Sequence, residues 1–233
     1  MSPSNLRIPM PVDVVSDVVC PWCFIGKRRL EKAMALVPDI PLNVRWRPYF
    51  LNPWVPREGI GRDEYLTTKF GSVAGYERIA RPIVAAAEAE GLVYVLDAIA
   101  RQPNTLDCHR LIRWAGDGAG RMKQRLMELY FSEGADLTQR DVLVQAAADC
   151  GMDADETRER LASDVDEIEV TAEAMAASNA GVEGVPCFIF GGVLAVAGAQ
   201  APDYLAGAIT RAFAQFEQRL AAGEIASPEA RPY

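Results

Sequence analysis

Segment 11–19 (PVDVVSDVV) is a short apolar run rich in β-branched side chains, which predicts a buried strand. Over 24–37 the apolar positions Phe24, Leu30, Ala33, Met34 and Val37 recur at helical spacing, and Pro38 and Pro41 close that helix. Segment 42–50 (LNVRWRPYF) alternates apolar and polar, as a half-buried strand does, and Pro48 places part of it at a sheet edge or a bulge. Residues 52–61 hold Pro53, Pro56, Gly59 and Gly61 and read as a loop.

From about Arg62 to Asn179 the pattern follows the helical period almost throughout. Helices are expected over 63–70, 75–90, 105–115, 120–132, 141–150, 153–161 and 164–178. Pro82 marks a kink or a start in the second, and Asn104 suits a cap for the third. Strand character returns at 186–190 (PCFIF); a Gly191-Gly192 turn and 193–197 complete a hairpin. Segment 203–220 is a last amphipathic helix and 223–233 a loose tail. No fixed-period repeat or low-complexity tract interrupts this order. The fold class is therefore α/β: residues 1–61 and 180–233 form a small domain into which an all-helical domain, 62–179, is inserted.

Composition narrows the function. Half of the 233 residues are hydrophobic and 24% are charged, which excludes a disordered chain. With 24 basic against 32 acidic residues the net charge is −8, so the chain repels phosphate backbones and nucleic acid is not an expected partner. No stretch approaches 18 uninterrupted apolar residues, and 1–10 lacks the apolar run of a signal peptide, so no membrane segment and a cytoplasmic location are expected. Five cysteines are too few for a disulfide scaffold. In a reducing compartment a pair of them points to catalysis or metal.

Cys20-Pro21-Trp22-Cys23 lies at the junction of the first strand and helix. Residues three apart on a helix lie about 5–6 Å from each other, within the Cα separation of about 4.4–6.8 Å that a disulfide uses. Cys20 precedes the helix, where free N–H groups and the dipole favour an anion, and the thiolate is the nucleophile. Pro21 fits the first turn, which tolerates a missing N–H. Cys20 is read as the attacking thiol and Cys23, expected to be the more buried, as the one that resolves the mixed disulfide. Two structural thiols, or zinc, are the alternatives. Zinc commonly takes two chelating pairs, whereas Cys108 and His109 are adjacent and diverge on a helix, so no metal is assigned.

The CPWC after a β run, together with Gly184-Val185-Pro186 before a late strand, resembles the thioredoxin superfamily. With the helical insertion the resemblance narrows to the DsbA family. Within it, SDVVCPWCFIGKRRLE, RPYFLNPWVPREG, PNTLDCHRL and the late VAGAQ make the chain most similar to the FrnE-like thiol-disulfide oxidoreductases. The resemblance implies a thioredoxin-like fold with a large helical insertion and a cis Val185–Pro186 bond facing the cysteines. It also implies action on protein or peptide disulfides, with no resident cofactor and glutathione at most a co-substrate. Asn52 matches a loop that contacts glutathione in kappa-class relatives; a plain turn residue is the other reading. Phe50, Trp22 and Trp54 suit an apolar rim for peptides, although Trp54 also suits a core position.

There are departures. Related folds place a buried acid six residues before the first active cysteine; here that position is Val14. Asp13 and Asp17 are read as lying on the opposite face or beyond the buried part of the sheet, which leaves the proton acceptor unassigned. Trp22 supplies no cation, so a weaker oxidant than Pro-His relatives is expected. Cys187 follows the loop proline and reads as a buried small residue, with participation in the site as its functional alternative. His109, the only histidine, reads as a helix-surface residue, with a proton shuttle as its alternative. Cys108 and Cys150 read as buried helix residues. The competing functions are a glutathione-dependent isomerase or kappa-class-like transferase, of which the isomerases typically carry Ser where Cys20 stands, and a non-catalytic peptide holder. A homodimer is compatible with the sequence.

Overall fold

The structure, a computed structural model, describes residues 8–225. The expected loose tail from 226 on, and the first seven residues of the segment read for a signal peptide, lie outside them. A four-stranded mixed sheet carries the strand order β2-β1-β5-β6. Strand β1 (Met10–Ser16), helix α1 (Pro21–Ala35) and β2 (Leu42–Pro48) form a parallel crossover. Strands β5 (Cys187–Phe190) and β6 (Leu194–Ala197) form the expected hairpin, antiparallel to each other and, through β5, to β1. β1 is the most apolar strand because it is central and covered on both faces. β2 is an edge, and it ends at Pro48, which has no N–H to continue a ladder.

Between β2 and β5 the chain is mostly helical. The helices are α2 (Arg62–Phe70), α3 (Val73–Ala89), α4 (Leu106–Trp114), α5 (Ala119–Phe131), α6 (Arg140–Asp149), α7 (Ala154–Leu161) and α8 (Glu167–Asn179). Ser72 caps α3 by accepting from the Gly75 N–H at 2.9 Å, and Pro82 sits inside that helix. Asn104 accepts from the Leu106 N–H at 3.0 Å, as its expected capping role requires, although Thr105 holds the cap position. Segment 101–102, left unassigned by periodicity, pairs with 60–61, at the end of the expected loop, as the two-residue strands β3 (Ile60–Gly61) and β4 (Arg101–Gln102). The last helix is α9 (Pro202–Ala221). Among the described residues no helix is long and apolar enough to cross a membrane.

Two apolar cores meet at the start of α1. The first lies between the sheet and α1 and α9: Val12, Val14, Leu30, Phe188, Phe190, Ile209 and Phe213. The second lies among the helices and takes in Cys20, Cys23, Phe24 and Ile25 with Leu111, Met122, Leu126 and Phe131. On the other face of the sheet Asp13 pairs with Arg45 and Arg47, and Arg47 reaches Glu173 of α8 at 2.8 Å. The first turn of α1 is thus wedged between the sheet and the helical block.

Candidate active site

Cys20 occupies the N-cap of α1 in an extended conformation, and Pro21 fills the first helical turn, so the helix begins where its missing N–H costs nothing. Periodicity alone starts this helix at Phe24; the proline supplies the earlier start. The Cys23 N–H closes the turn on the Cys20 carbonyl at 2.9 Å. Both thiols are free, Cys20 being 4% and Cys23 1% exposed. The Cys20 thiol donates to the Val185 carbonyl at 3.4 Å, and the Val185–Pro186 bond is cis. The two segments can approach because position 26 is glycine: a Cβ there would stand 2.8 Å from Pro186 Cγ and 3.2 Å from the Phe188 ring. From the helical block, the Tyr94 hydroxyl donates to the Pro21 carbonyl at 2.7 Å.

A buried polar cluster lies behind the dithiol. Asp17, fully buried, accepts from the Val18 N–H at 2.7 Å and the Leu51 N–H at 2.9 Å. Its carboxylate lies 3.2 Å from His109 Nε2 on α4. Burial works against the Asp17 charge. The hydrogen bond and charge of His109, the Leu51 N–H and the Lys123 charge outweigh it and hold the carboxyl below its usual range. This corrects two sequence expectations: Asp17 is at the heart of the molecule, and His109 is a buried partner of it. Each satisfies the other, which is what allows both to leave the surface.

Burial pushes the Cys23 thiol well above its ordinary value, and the Cys20 sulfur adds to this by hydrogen bond and charge. The charge of Lys123 and the backbone of Asp17 act the other way. Lys123 of α5 is itself 1% exposed; burial lowers its pKa, while the charges of Cys23, Asp17 and Cys20 raise it. For a second cation, Lys69 of α2, partial desolvation lowers the pKa, while the charges of Cys20 and Asp17 raise it. Lys69 donates to Asn52 Oδ1.

Of the remaining sequence candidates, Trp22 is 36% exposed beside Cys20, and Trp54 is 46% exposed, stacked on Tyr65 at 5.9 Å. Trp54 is therefore a surface residue and not core. The Phe50 ring lies 5.9 Å from the His109 ring. Asn52 is buried, shares Lys69 with the cysteine side of the site, and has no partner for its amide nitrogen among the described residues. Cys187 is buried opposite Val15 in the β1–β5 ladder. Its neighbour Phe188 packs toward α1 and α9, so strand alternation turns Cys187 to the other face. Cys108 and Cys150 are buried. Lys123, Lys69 and Tyr94 escaped the sequence reading. Only Lys123 left a signal there: it lies in phase with Ala119, Leu126, Met127 and Tyr130, on the buried stripe of its helix.

The chemistry this arrangement can perform is thiol–disulfide exchange, with one sulfur at a helix start and a second one turn inside it. A family model, the DSBA-like thioredoxin domain, matches residues 11–210, well over half of the chain, and the protein belongs to that family. Among solved structures it is similar to a probable DsbA oxidoreductase from Streptomyces coelicolor, with 30% identity and a TM-score of 0.81, covering 88% of this chain and 91% of that one. It also shares its fold with a 2-hydroxychromene-2-carboxylate isomerase, at 16% identity and a TM-score of 0.66, covering 93% and 100% of the two chains. A third fold relative is the cytosolic disulfide reductase DsbM from Pseudomonas aeruginosa, solved with GSH, at 16% identity and a TM-score of 0.57, covering 91% and 99%. No curated protein matches the sequence.

Proposed function

We propose that the protein is a thiol–disulfide oxidoreductase or isomerase that cycles Cys20 and Cys23 through mixed disulfides with protein or peptide substrates. The observation that carries this reading is the placement of the pair: Cys20 stands at the N-cap position of α1 with its thiol donating to the Val185 carbonyl, and Cys23 lies one turn behind, both as free thiols. Reducing a substrate, the Cys20 thiolate attacks one sulfur of its disulfide and displaces the other as a thiolate. Cys23 then attacks the Cys20 sulfur, the Cys20–substrate bond breaks, and the substrate leaves as a dithiol while Cys20 and Cys23 are joined. Oxidation is the same sequence reversed. Exposed Trp22 and Trp54 supply apolar surface for an extended peptide beside the site.

Glutathione fits as a co-substrate that resets the pair, and the FrnE-like resemblance and a cytoplasmic location are consistent with such a role. A second reading, a glutathione-dependent isomerase, is favoured by the fold shared with the chromene-carboxylate isomerase. It gives Cys23 no task, whereas the dithiol cycle uses both thiols. Reduction of insulin by dithiothreitol tests this. Cys20→Ser abolishes the catalysed rate, and Cys23→Ser accumulates mixed disulfides at Cys20; equal rates in all three proteins reject the cycle.

A further inference from the structure

Resolving a mixed disulfide requires Cys23 as a thiolate, and Cys23 is 1% exposed, so water cannot solvate that anion. The charge must be held by the protein. Helix α5 brings one cation to this place: Lys123, 1% exposed, in the same buried layer as Met122, Leu126 and Met127, which pack in the core that contains Cys23. Its Nζ lies 5.6 Å from the Trp46 ring centroid, opposite no carboxylate ion partner among the described residues. Lys27 approaches the same ring at 5.8 Å, but its charge is committed to Glu31. Burying an ammonium with no carboxylate at ion-pair distance is costly, and the groups whose charges favour this one are Cys23 first, then Asp17 and Cys20.

We infer that Lys123 is the positioning residue for the resolving step: its buried ammonium holds the thiolate that forms at Cys23. This rests on the dithiol cycle proposed above. In the step itself the Cys23 thiol gives up its proton to solvent, the Cys23 sulfur bonds to the Cys20 sulfur, and the Cys20–substrate bond breaks. The departing sulfur carries the electron pair away and takes up a proton in turn. Lys123 is not consumed. The other titratable and charged groups around the pair are Cys20 and Lys27 from α1, Asp17 from the turn before it, Cys108 and His109 from α4, Lys69 from α2, and Tyr94. Among the cations around the pair, the charge of Lys123 is the one that bears on the Cys23 sulfur most strongly.

The test is a single turnover of the reduced full chain with 5,5′-dithiobis(2-nitrobenzoate). A first equivalent of chromophore reports attack by Cys20, and a second reports resolution by Cys23. In Lys123→Met the first phase persists, while the second slows at least about tenfold at neutral pH and its pH profile moves up by about one unit. Lys123→Arg, which keeps the charge, restores the second phase. A second phase with unaltered rate and profile in Lys123→Met overturns the inference. So does a slower one whose profile does not move, and so does a folded Lys123→Arg protein that stays as slow as Lys123→Met. Should the arginine not fold, judged by circular dichroism, the pH profile of Lys123→Met decides alone. Absence of the first phase in the unaltered protein would instead refute the dithiol cycle itself.

Discussion

Replacing Asp17 tests how the polar cluster behind the dithiol is built. Its carboxylate is an acceptor three times over, to the N–H groups of Val18 and Leu51 and to His109, in a place with no access to water. Asp17→Asn keeps the shape but turns one oxygen into a donor. Whichever way the amide faces, it meets either the Leu51 N–H or the Val18 N–H and His109, and at least one buried donor is stranded. That costs about 1–3 kcal/mol, a sizeable part of a typical domain stability of about 5–15 kcal/mol. Asp17→Ala strands all three and costs more. The pH dependence follows from the direction of the shift. A carboxyl held below its ordinary value in the folded state stabilises the protein above the unfolded value of 3.8, and that contribution fades as pH falls below it. Urea unfolding of the reduced protein, followed by circular dichroism at neutral and acidic pH, measures this. The gap between wild type and Asp17→Asn should narrow on acidification. A gap under about 0.5 kcal/mol at neutral pH, or one that widens toward acid, refutes the reasoning.

Three further outcomes follow from the geometry. Gly26→Ala should gain about 1 kcal/mol of helix propensity yet lose about 1–3 kcal/mol to overpacking against Pro186 and Phe188; a more stable variant in urea unfolding contradicts the close approach. Lys69→Met, which removes a cation that acts on Cys20, should slow alkylation of Cys20 by iodoacetamide severalfold in a Cys23→Ser background, and an unchanged rate removes Lys69 from the site. Cys187→Ala should leave insulin reduction within twofold of wild type, since the side chain lies on the sheet face away from α1; a large loss would return it to the site.

The strands and most helices were legible because their apolar spacing is regular: β1 reads as an unbroken β-branched run, and the helical block shows the helical period. CPWC and Val185-Pro186 announced themselves as motifs, and the two meet where the Cys20 thiol donates to the Val185 carbonyl, beside a 185–186 bond that is cis as the resemblance implied. What escaped had no local signature. The β3–β4 ladder is two residues long on each strand, too short to carry a period. Asp17 and His109 are buried because of each other, across 92 positions of sequence, and neither residue alone reveals its partner. Taken singly, an aspartate and a histidine are placed at the surface. Lys123 is the instructive case: its phase on α5 put it on the buried stripe, and a lysine there signals a charge with a task.

The most direct measurement is a glutathione redox titration of the purified protein, read by differential alkylation and mass spectrometry of all five cysteines. The account predicts one two-electron transition, in which Cys20 and Cys23 become a single disulfide while Cys108, Cys150 and Cys187 remain thiols. Failure of Cys20 and Cys23 to join at any glutathione ratio, or Cys20 forming only a lasting adduct with glutathione, would contradict it.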